Sequence, residues 1–315
     1  MKDQAGQSLG KFDHPQITAK GEPRASVSLT RPETLWFNTG TLCNIECANC
    51  YIESSPTNDR LVYISASEVA SYLDQLEERR WGVREIAFTG GEPFMNPDII
   101  AMVEASLERG YEVLLLTNAM RPMMRRRIQS GLMALNDRFP EKLTLRISVD
   151  HHGPALHDKE RGKGSFEITL QGMRWLRDAG IRMTVAGRTV WGESEDTSRA
   201  GYAALYAAEG FAIDAAHPGE TVLFPEMDEN AQVPEITTAC WGILNKHPAQ
   251  VMCASSRMVV KRKGAETPTV LACTLIPYSA EFELGKTLEE AEGKVFLNHP
   301  HCAKFCVLGG ASCSA

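Results

Sequence analysis

Three cysteines lie within eight residues of one another, at Cys43, Cys47 and Cys50, and no other cysteine occurs before Cys240. The C-x3-C-x2-C spacing lets three thiolates converge on one metal centre, so the loop that carries them must fold back on itself. Three thiolates can hold three corners of a four-iron cluster, which normally takes four cysteines. One iron would then lack a protein ligand, and an open metal position is where chemistry can occur.

Two simpler interpretations of this triad fit the sequence less well. A structural zinc site needs four ligands, and the nearest histidines, His14 and His151, are remote in sequence. Free cysteines bury readily in protein cores, but that tendency alone does not explain three of them in eight residues. We therefore expect an iron–sulfur cluster, with zinc completed by a distant fourth ligand as the alternative.

A second motif, TGGEP at Thr89–Pro93, follows later in the chain. Together with the triad it resembles the radical S-adenosylmethionine (SAM) enzyme superfamily, in which the cysteine loop holds a 4Fe-4S cluster and the glycine motif binds SAM. The resemblance implies that SAM chelates the open iron and is cleaved reductively to a 5′-deoxyadenosyl radical, which abstracts hydrogen from a substrate. The family often has an aromatic residue just before the third cysteine, whereas this chain has Asn49 there and Tyr51 just after.

The composition is that of a globular protein with one large domain, or one domain and a small appendage. No apolar run among the 315 residues is long enough to cross a bilayer. The N-terminus has no signal-peptide pattern, so we expect a cytoplasmic protein without a membrane partner. A net charge of −7 disfavours nucleic-acid binding, and the basic runs Arg125–Arg127 and Lys261–Lys263 are interpreted as solvated surfaces.

From Glu33 onward, strand patterns alternate with helix patterns. The alternation indicates a parallel sheet with right-handed crossovers, hence an α/β fold class. No G-x-G-x-x-G follows the first strand, which disfavours a dinucleotide fold. The family resemblance implies a partial (β/α)6 TIM-like barrel. We expect a flexible N-terminal arm at residues 1–30, the radical SAM core at 31–228 and a cysteine-rich α+β extension at 229–315.

Two helix starts are marked by local signals. Ser65 and Glu68 have capping-box spacing at the first helix. Asn96, as N-cap, and Pro97, at the first helical position, predict the start of the second.

Polar residues occur where the predicted strands end, which is the edge that carries the active site in α/β barrels. Ser148 and Asp150 share a strand face and suit the ribose hydroxyls, with a cap or surface turn as the alternative for Asp150. Arg188 is predicted to reach the SAM carboxylate, with a structural ion pair as the alternative. The predicted cofactor-binding residues are Tyr51, Gly90, Gly91, Glu92, Asn118, Ser148, Asp150 and Arg188.

Six further residues are weaker candidates. Glu226 is interpreted as an acid at the rim of the site. His151, His152 and His157 are candidates for substrate contact or acid–base chemistry, although such histidines more often only line a loop. Arg161–Gly162 loosely resembles a segment of the family's peptide-modifying branch.

After Glu226 the alternation ends and cysteines return. Met258–Lys261 and Thr269–Leu271 predict a hairpin turning at Gly264. This part resembles the SPASM or Twitch extension, and because the full SPASM form needs more than the six cysteines present, one auxiliary 4Fe-4S cluster is expected. A zinc knuckle is the alternative, and Cys240 is interpreted as a core thiol. The candidate ligands, five for four positions, are Cys253, Cys273, Cys302, Cys306 and Cys313.

The predicted function is radical SAM chemistry, with oxidative modification or maturation of a ribosomally made peptide as the first choice. An auxiliary cluster would relay electrons or anchor the substrate. The absence of a visible peptide-recognition domain in the N-terminal arm weakens the peptide choice, so a small-molecule dehydrogenase or cofactor-biosynthesis enzyme is the alternative. A non-catalytic iron–sulfur electron carrier and a zinc-stabilised binding module are the alternatives from other classes. The expected partners are the substrate and a reductant such as flavodoxin or ferredoxin.

Overall fold

The structure, a computed structural model, describes residues 9–228 and 230–309. The strands are β1 (Ser26–Val27), β2 (Thr34–Asn38), β3 (Glu85–Thr89), β4 (Glu112–Thr117), β5 (Leu143–Ser148), β6 (Arg182–Arg188), β7 (Thr221–Phe224), β8 (Ser256–Val260), β9 (Thr269–Leu271), β10 (Glu283–Gly285) and β11 (Val295–Phe296). The helices are α1 (Ala66–Arg79), α2 (Ile99–Glu108), α3 (Arg126–Arg138), α4 (Pro154–Arg161), α5 (Ser165–Asp178), α6 (Glu195–Glu209) and α7 (Cys240–Ile243). None of these helices has both the length and the apolar character needed to cross a membrane.

Strands β2 to β7 form the parallel core of a nine-stranded sheet within the described residues, in the order β10-β9-β8-β2-β3-β4-β5-β6-β7. Consecutive core strands are neighbours, and a helical segment joins each pair. This is the (β/α)6 arrangement of a partial barrel, so the predicted fold class is confirmed. The carboxyl ends of all six strands meet at one edge, where the loops with the predicted site residues begin.

Strand β2 is buried along its whole length because the sheet is covered on both faces. Successive side chains of a strand point to opposite faces. Leu35 and Phe37 therefore pack with the helices in one core, whereas Trp36 belongs to a second core shared with the C-terminal part of the chain. The packing of β2 between two cores thus fixes the first residues of the loop that follows this strand.

Helix α1 begins as predicted. The Ser65 side chain accepts the backbone N–H of Glu68, and the Glu68 carboxylate accepts the backbone N–H of Ser65, which completes a capping box. The buried stripe of the helix is the one that its periodicity indicates: Val69, Tyr72, Leu73 and Leu76.

The predicted start of the second helix is wrong, because α2 begins at Ile99 and not at Pro97. The side-chain amide of Asn96 donates to the carbonyl oxygens of Thr39 at 3.1 Å and Ile64 at 2.9 Å. Asn96 therefore ties together two loops instead of capping the helix. Local sequence does not distinguish these two uses of an asparagine.

The C-terminal hairpin is part of the core sheet. Strand β9 pairs antiparallel with β8, as the sequence predicted. Strand β8 also pairs in parallel with β2, from Ser256 opposite Thr34 to Val259 opposite Phe37. The sequence predicts residues 229–315 as an extension of the barrel. In the structure, strands β8 and β9 of this part belong to the same sheet as the barrel strands.

Residues 9–30 differ from the predicted flexible arm. Strand β1 pairs with β11, and Ala25 and Val27 are buried. The guanidinium of Arg24 donates to the Glu235 carboxylate at 2.5 Å, and the Arg24 side chain is fully buried. A single buried ion pair produces no apolar periodicity, so this anchor could not be predicted from the sequence pattern. Residues 1–8 lie outside the described part of the chain.

Replacing Glu235 by Gln should lower the free energy of unfolding by roughly 3–5 kcal/mol, because Arg24 would keep a buried charge without its partner. The matched control is Glu33→Gln, which removes a carboxylate from Arg31, whose side chain is 81% exposed. A loss below about 1 kcal/mol is expected there. Urea unfolding under anaerobic conditions measures both values, and equal losses would contradict a buried anchor.

Candidate functional site

The loop between β2 and α1 carries the three clustered cysteines. The N–H of Cys43 donates to the carbonyl oxygen of Ser55 at 3.0 Å, which closes the base of the loop. The Sγ of Cys50 accepts the N–H of Ser54 at 3.3 Å, which holds this side chain in the loop. All three cysteines of the triad line the same cavity. The fold therefore brings them to one place, as their spacing predicted.

Burial is the largest influence on two of these thiols. It raises the pKa of Cys43 to about 12 and that of Cys47 to about 11, although Arg161 opposes the shift at Cys47. Thiols of this kind stay protonated at neutral pH unless a metal cation replaces the proton. Three convergent, soft sulfur donors suit an iron–sulfur cluster. The residues present therefore fit a cluster held by Cys43, Cys47 and Cys50.

The two glycines of the TGGEP motif are required by a close approach between two loops. The N–H of Gly91 donates to the carbonyl oxygen of Gly40 at 2.8 Å. A Cβ atom on Gly91 would lie 2.3 Å from the carbonyl oxygen of Leu42, and one on Gly90, where φ is +152°, would lie 2.6 Å from that of Gly40. Neither contact is sterically allowed. The motif therefore joins the cysteine loop to the end of β3.

Glu92 is buried and its carboxylate binds groups of the protein itself. It accepts the N–H of Asn118 at 2.9 Å and of Phe94 at 3.2 Å, and the hydroxyl of Thr117 at 2.9 Å. Burial raises the pKa of Glu92 to about 7, although these hydrogen bonds oppose the shift. Glu92 does not line the cavity beside the cysteines. The geometry thus corrects the expectation of direct SAM contact, because Glu92 connects the ends of β3 and β4.

The cavity beside the triad collects residues from the ends of all six core strands. Most of its surface is apolar, with contributions from Trp36, Leu116 and Phe224. Of the predicted cofactor-binding residues, those that line it are Tyr51, Gly90, Gly91, Asn118, Ser148, Asp150 and Arg188. The residues predicted from the sequence therefore lie around one cavity. Their individual contacts with SAM stay predictions.

Asp150 forms ion pairs with two arginines. Arg161 donates to both carboxylate oxygens, from Nε at 2.6 Å and from Nη2 at 3.2 Å, and the Nε of Arg188 lies 3.5 Å from Oδ1. Burial alone would raise the pKa of Asp150, but the two guanidinium groups outweigh it and hold that pKa below its usual range. The structural ion pair considered for Arg188 is present. Asp150 therefore orients two cations beside the cavity, whatever it contributes to ribose binding.

Glu160 is a residue of this region that the sequence interpretation missed. Its carboxylate accepts the backbone N–H and the side-chain amide of Asn49, both at 2.8 Å. Its carbonyl oxygen accepts the N–H of Ala48 at 2.9 Å, and Arg188 donates to the carbonyl oxygen of Asn49 at 2.7 Å. Asn49, which stands where the family often has an aromatic residue, is thus fixed by α4. Pro154, a first-turn proline, was the available signal for this unpredicted helix.

Of the weaker candidates, Arg161 lines the cavity, whereas the three histidines and Glu226 do not. The Nε2 atoms of His151 and His152 lie 3.1 Å and 3.5 Å from the Glu193 carboxylate. His157 is fully buried, and burial lowers its pKa to about 4. Neither these histidines nor Glu226 line the cavity. The geometry therefore gives no support to a role for them toward a substrate in it.

A second cavity lies in the C-terminal part of the chain. Two of its cysteines flank the β8–β9 hairpin, and two come from the π-helix Cys302–Leu308. Cys240 is half-buried and does not line this cavity. Cys313 lies outside the described residues. The lining cysteines are Cys253, Cys273, Cys302 and Cys306.

The surroundings of these four thiols suit a metal centre. Burial raises the pKa of Cys253 to about 11 and also raises that of Cys302. Arg257, only 1% exposed, donates to the carbonyl oxygen of Cys253 at 2.6 Å and brings a positive charge next to the sulfurs. The N–H of Leu275 donates to the Sγ of Cys273 at 3.3 Å. Such a site fits a 4Fe-4S cluster, and four sulfur ligands also suit zinc.

Comparisons with known proteins agree with the site. The model of the radical SAM superfamily matches residues 37–197, just over half of the 315 residues. The chain is similar to the antilisterial bacteriocin subtilosin biosynthesis protein AlbA of Bacillus subtilis, with 33% identity over 145 residues, 46% of this chain and 30% of that protein. It is also similar to an AdoMet-dependent heme synthase of Oleidesulfovibrio alaskensis, with 26% identity over 181 residues, 57% of this chain and 42% of that protein. Each match covers less than half of the relative.

Two crystal structures of Streptococcus suis SuiB share the fold. The one bound to S-adenosylmethionine has a TM-score of 0.59 at 12% identity and covers 81% of this chain and 63% of SuiB. The one bound to the precursor peptide SuiA has a TM-score of 0.58 at 12% identity and covers 84% of this chain and 66% of SuiB. At such low identity the likeness concerns the fold alone.

The chain belongs to the radical SAM superfamily. Its cofactors are those of the family, a 4Fe-4S cluster and SAM, as the cysteine triad and the TGGEP motif predicted. The cysteine-rich C-terminal part is consistent with the auxiliary-cluster module that the same resemblance implied.

The contact between Asn49 and Glu160 should hold the cysteine loop in the conformation that binds SAM. Asn49→Asp would oppose two carboxylates and should bind SAM up to about tenfold more weakly. Glu160→Gln alone should lose little affinity, because the Asn49 amide can rotate and accept the N–H of the new glutamine. The double variant Asn49→Asp/Glu160→Gln restores a donor opposite an acceptor and should recover most of the affinity. SAM titration of the electron paramagnetic resonance signal of the reduced cluster measures this.

The control for this experiment is Glu46→Gln, an exposed position in the same loop that should leave SAM affinity unchanged. A double variant weaker than both single variants would show that the contact does not act through complementarity.

Proposed function

We propose that this radical SAM enzyme acts as a maturase that oxidatively modifies a ribosomally made peptide in the cavity beside the cysteine triad. One observation carries the proposal. The cavity at the triad and the second cysteine-lined cavity share Leu275 as a wall. A substrate bound in the first cavity would therefore lie between two candidate metal centres.

When bound, the cluster and SAM supply a 5′-deoxyadenosyl radical that abstracts a hydrogen atom from the substrate. The chain's own residues shield the reacting groups from water and orient SAM. Trp36 and Phe224 contribute apolar surface to the cavity and keep water from the reacting groups. Arg161 and Arg188, both held by Asp150, place fixed positive charge at its edge. Planar guanidinium groups there suit the carboxylate of SAM.

We further propose that the second cavity holds an auxiliary 4Fe-4S cluster, with Cys253, Cys273, Cys302 and Cys306 as its four ligands. Thr274 and Leu275 face the first cavity, while Cys273, their neighbour in sequence, faces the second. An electron released by the substrate after hydrogen abstraction would have only this wall to cross. That arrangement favours a net oxidation of the substrate.

The relatives bear on the class of substrate. AlbA is named for bacteriocin biosynthesis, and one SuiB structure contains a precursor peptide, which supports a peptide. The heme synthases support the second candidate, a small-molecule dehydrogenase or cofactor-biosynthesis enzyme. A short precursor-peptide gene beside this one would favour the peptide. The proposal includes a cytoplasmic location, with a flavodoxin or ferredoxin as reductant.

Anaerobically reconstituted protein given SAM and dithionite should form 5′-deoxyadenosine, detected by chromatography. Cys47→Ala removes a cluster ligand and should abolish the product. Cys240→Ala changes a cysteine that lines neither cavity and should retain it. If the parent protein forms no more product than Cys47→Ala, the chain is not this enzyme, and an electron carrier becomes the better account.

The second cluster predicts a specific iron content. Two clusters give about eight iron atoms per chain, and replacing all three triad cysteines by Ala should leave about four. Cys306→Ser should also reduce iron to about four, while Cys240→Ala should not change it. A triad variant without iron, or one that contains zinc instead, would show that the second cavity holds no iron–sulfur cluster.

A further inference from the structure

A further open cavity borders the cysteine loop, and it shares no lining residue with the cavity that holds the triad. Asn44 and Ile45, which follow Cys43 in the loop, form one side of it. The segment before α3 forms the other side with Arg121 and Arg125. Its remaining lining residues are Met95, Met120, Pro122 and Ile168. We call this surface the arginine patch: Arg121, Arg125 and Arg126, with the adjoining cavity.

The positive charge of the arginine patch is not neutralised by neighbouring carboxylates. Its three arginines are exposed, and none has a carboxylate oxygen within 4 Å in the described part of the chain. Arg125 donates to the backbone carbonyl oxygen of Phe94, which fixes its position without cancelling its charge. The patch is thus a local cationic surface on a protein whose net charge is −7.

The carboxylate beside Ile168 is already paired. Glu167 of α5 contacts Arg174 at 2.7 Å. This ion pair offsets the acidic residue that adjoins the part of α5 lining the cavity.

Apolar groups accompany the charge. Ile168 is 37% exposed, and it lies on the same cavity as Ile45 and Met120. Arginine combined with methionine and aliphatic groups is a composition found in protein–protein interfaces. The surface is therefore suited to an acidic protein partner.

A short chain of contacts leads from the patch to the triad. The side-chain amide of Asn44 lies 3.9 Å from the Sδ of Met120, and its Oδ1 lies 4.0 Å from the Sγ of Cys43. Asn118 donates to the same Oδ1 at 2.9 Å and holds Asn44 in place. A partner seated on the patch would therefore be two side chains away from a ligand of the SAM cluster.

We propose that the arginine patch is the docking site of the electron donor, an acidic one-electron carrier of the flavodoxin or ferredoxin class. The inference rests on the proposed function, because only a catalytic cluster needs repeated reduction. One electron passes from the reduced donor to the oxidised cluster held by Cys43, Cys47 and Cys50. The donor is oxidised by one electron, the cluster is reduced by one, and no bond is formed or broken.

The test uses the reconstituted holoenzyme and a strongly acidic bacterial flavodoxin in its hydroquinone form. Stopped-flow absorbance follows oxidation of the flavin and bleaching of the cluster. Arg121→Glu and Arg121→Glu/Arg126→Glu should lower the second-order rate constant at low ionic strength by about tenfold or more. The difference should largely vanish near 0.5 M salt, where the roughly 4 Å Debye length screens the patch. Arg121→Lys should retain most of the rate.

The matched control is Arg84→Glu, which makes the same change in net charge at the opposite edge of the sheet, where the Arg84 side chain is 78% exposed. It should leave the rate constant within about twofold of the parent, since distant exposed charges are screened. Iron content and dithionite-driven formation of 5′-deoxyadenosine should be unchanged in all variants, because dithionite does not need the docking surface.

Two outcomes would overturn the proposal. Equal slowing by Arg84→Glu would show that net charge, and not this surface, determines the rate. An unchanged flavodoxin rate in the double variant, with weaker binding of a substrate peptide, would assign the patch to the peptide. Failure of the proposed function is distinguishable: the parent protein would then accept electrons from flavodoxin in a patch-dependent way and form no 5′-deoxyadenosine.

Discussion

The packing of the cysteine loop against the end of β3 is the constraint on which the rest of the site depends. The carbonyl oxygens of Gly40 and Leu42 lie where side chains of Gly90 and Gly91 would be. Two more anchors act on the same loop, Glu160 from α4 and the hydroxyl of Tyr278, which donates to the carbonyl oxygen of Ile52 at 2.6 Å. Three separate parts of the chain thus hold the cysteines in place, and the loop needs little ordering when metal binds.

Burial gives both cysteine sites a common electrostatic character. Burial raises the pKa of Cys43 and Cys47 at the first site and of Cys253 and Cys302 at the second. Each site also has an arginine beside it, Arg161, with 11% of its side chain exposed, at the first and the buried Arg257 at the second. These cations offset the negative charge that a thiolate-ligated cluster brings into the interior. Metal binding at either site would therefore be coupled to the stability of the fold.

Much of the fold followed from the sequence because its signals are local. The six core strands, the α1 capping box and the triad depend on periodicity and spacing within a few residues. Pairings between elements that are distant in sequence could not be predicted. A five-residue apolar strand does not specify its neighbour, so the pairing of β8 with β2 was missed. No sequence motif indicated the role of Glu160, because a carboxylate on a surface helix usually faces solvent. Glu92 was predicted to contact the cofactor because a sequence motif identifies residues but not the direction of their side chains.

The parallel pairing of β2 with β8 has a consequence for synthesis of the chain. The strand that leads into the cysteine loop pairs with β3 on one side, and its other edge pairs with residues 256–259. More than two hundred residues separate the two strands, so a ribosome exposes β2 as an open sheet edge for most of translation. We expect nascent and truncated chains to be vulnerable to aggregation there, and cluster insertion to be productive only after the C-terminal hairpin has emerged.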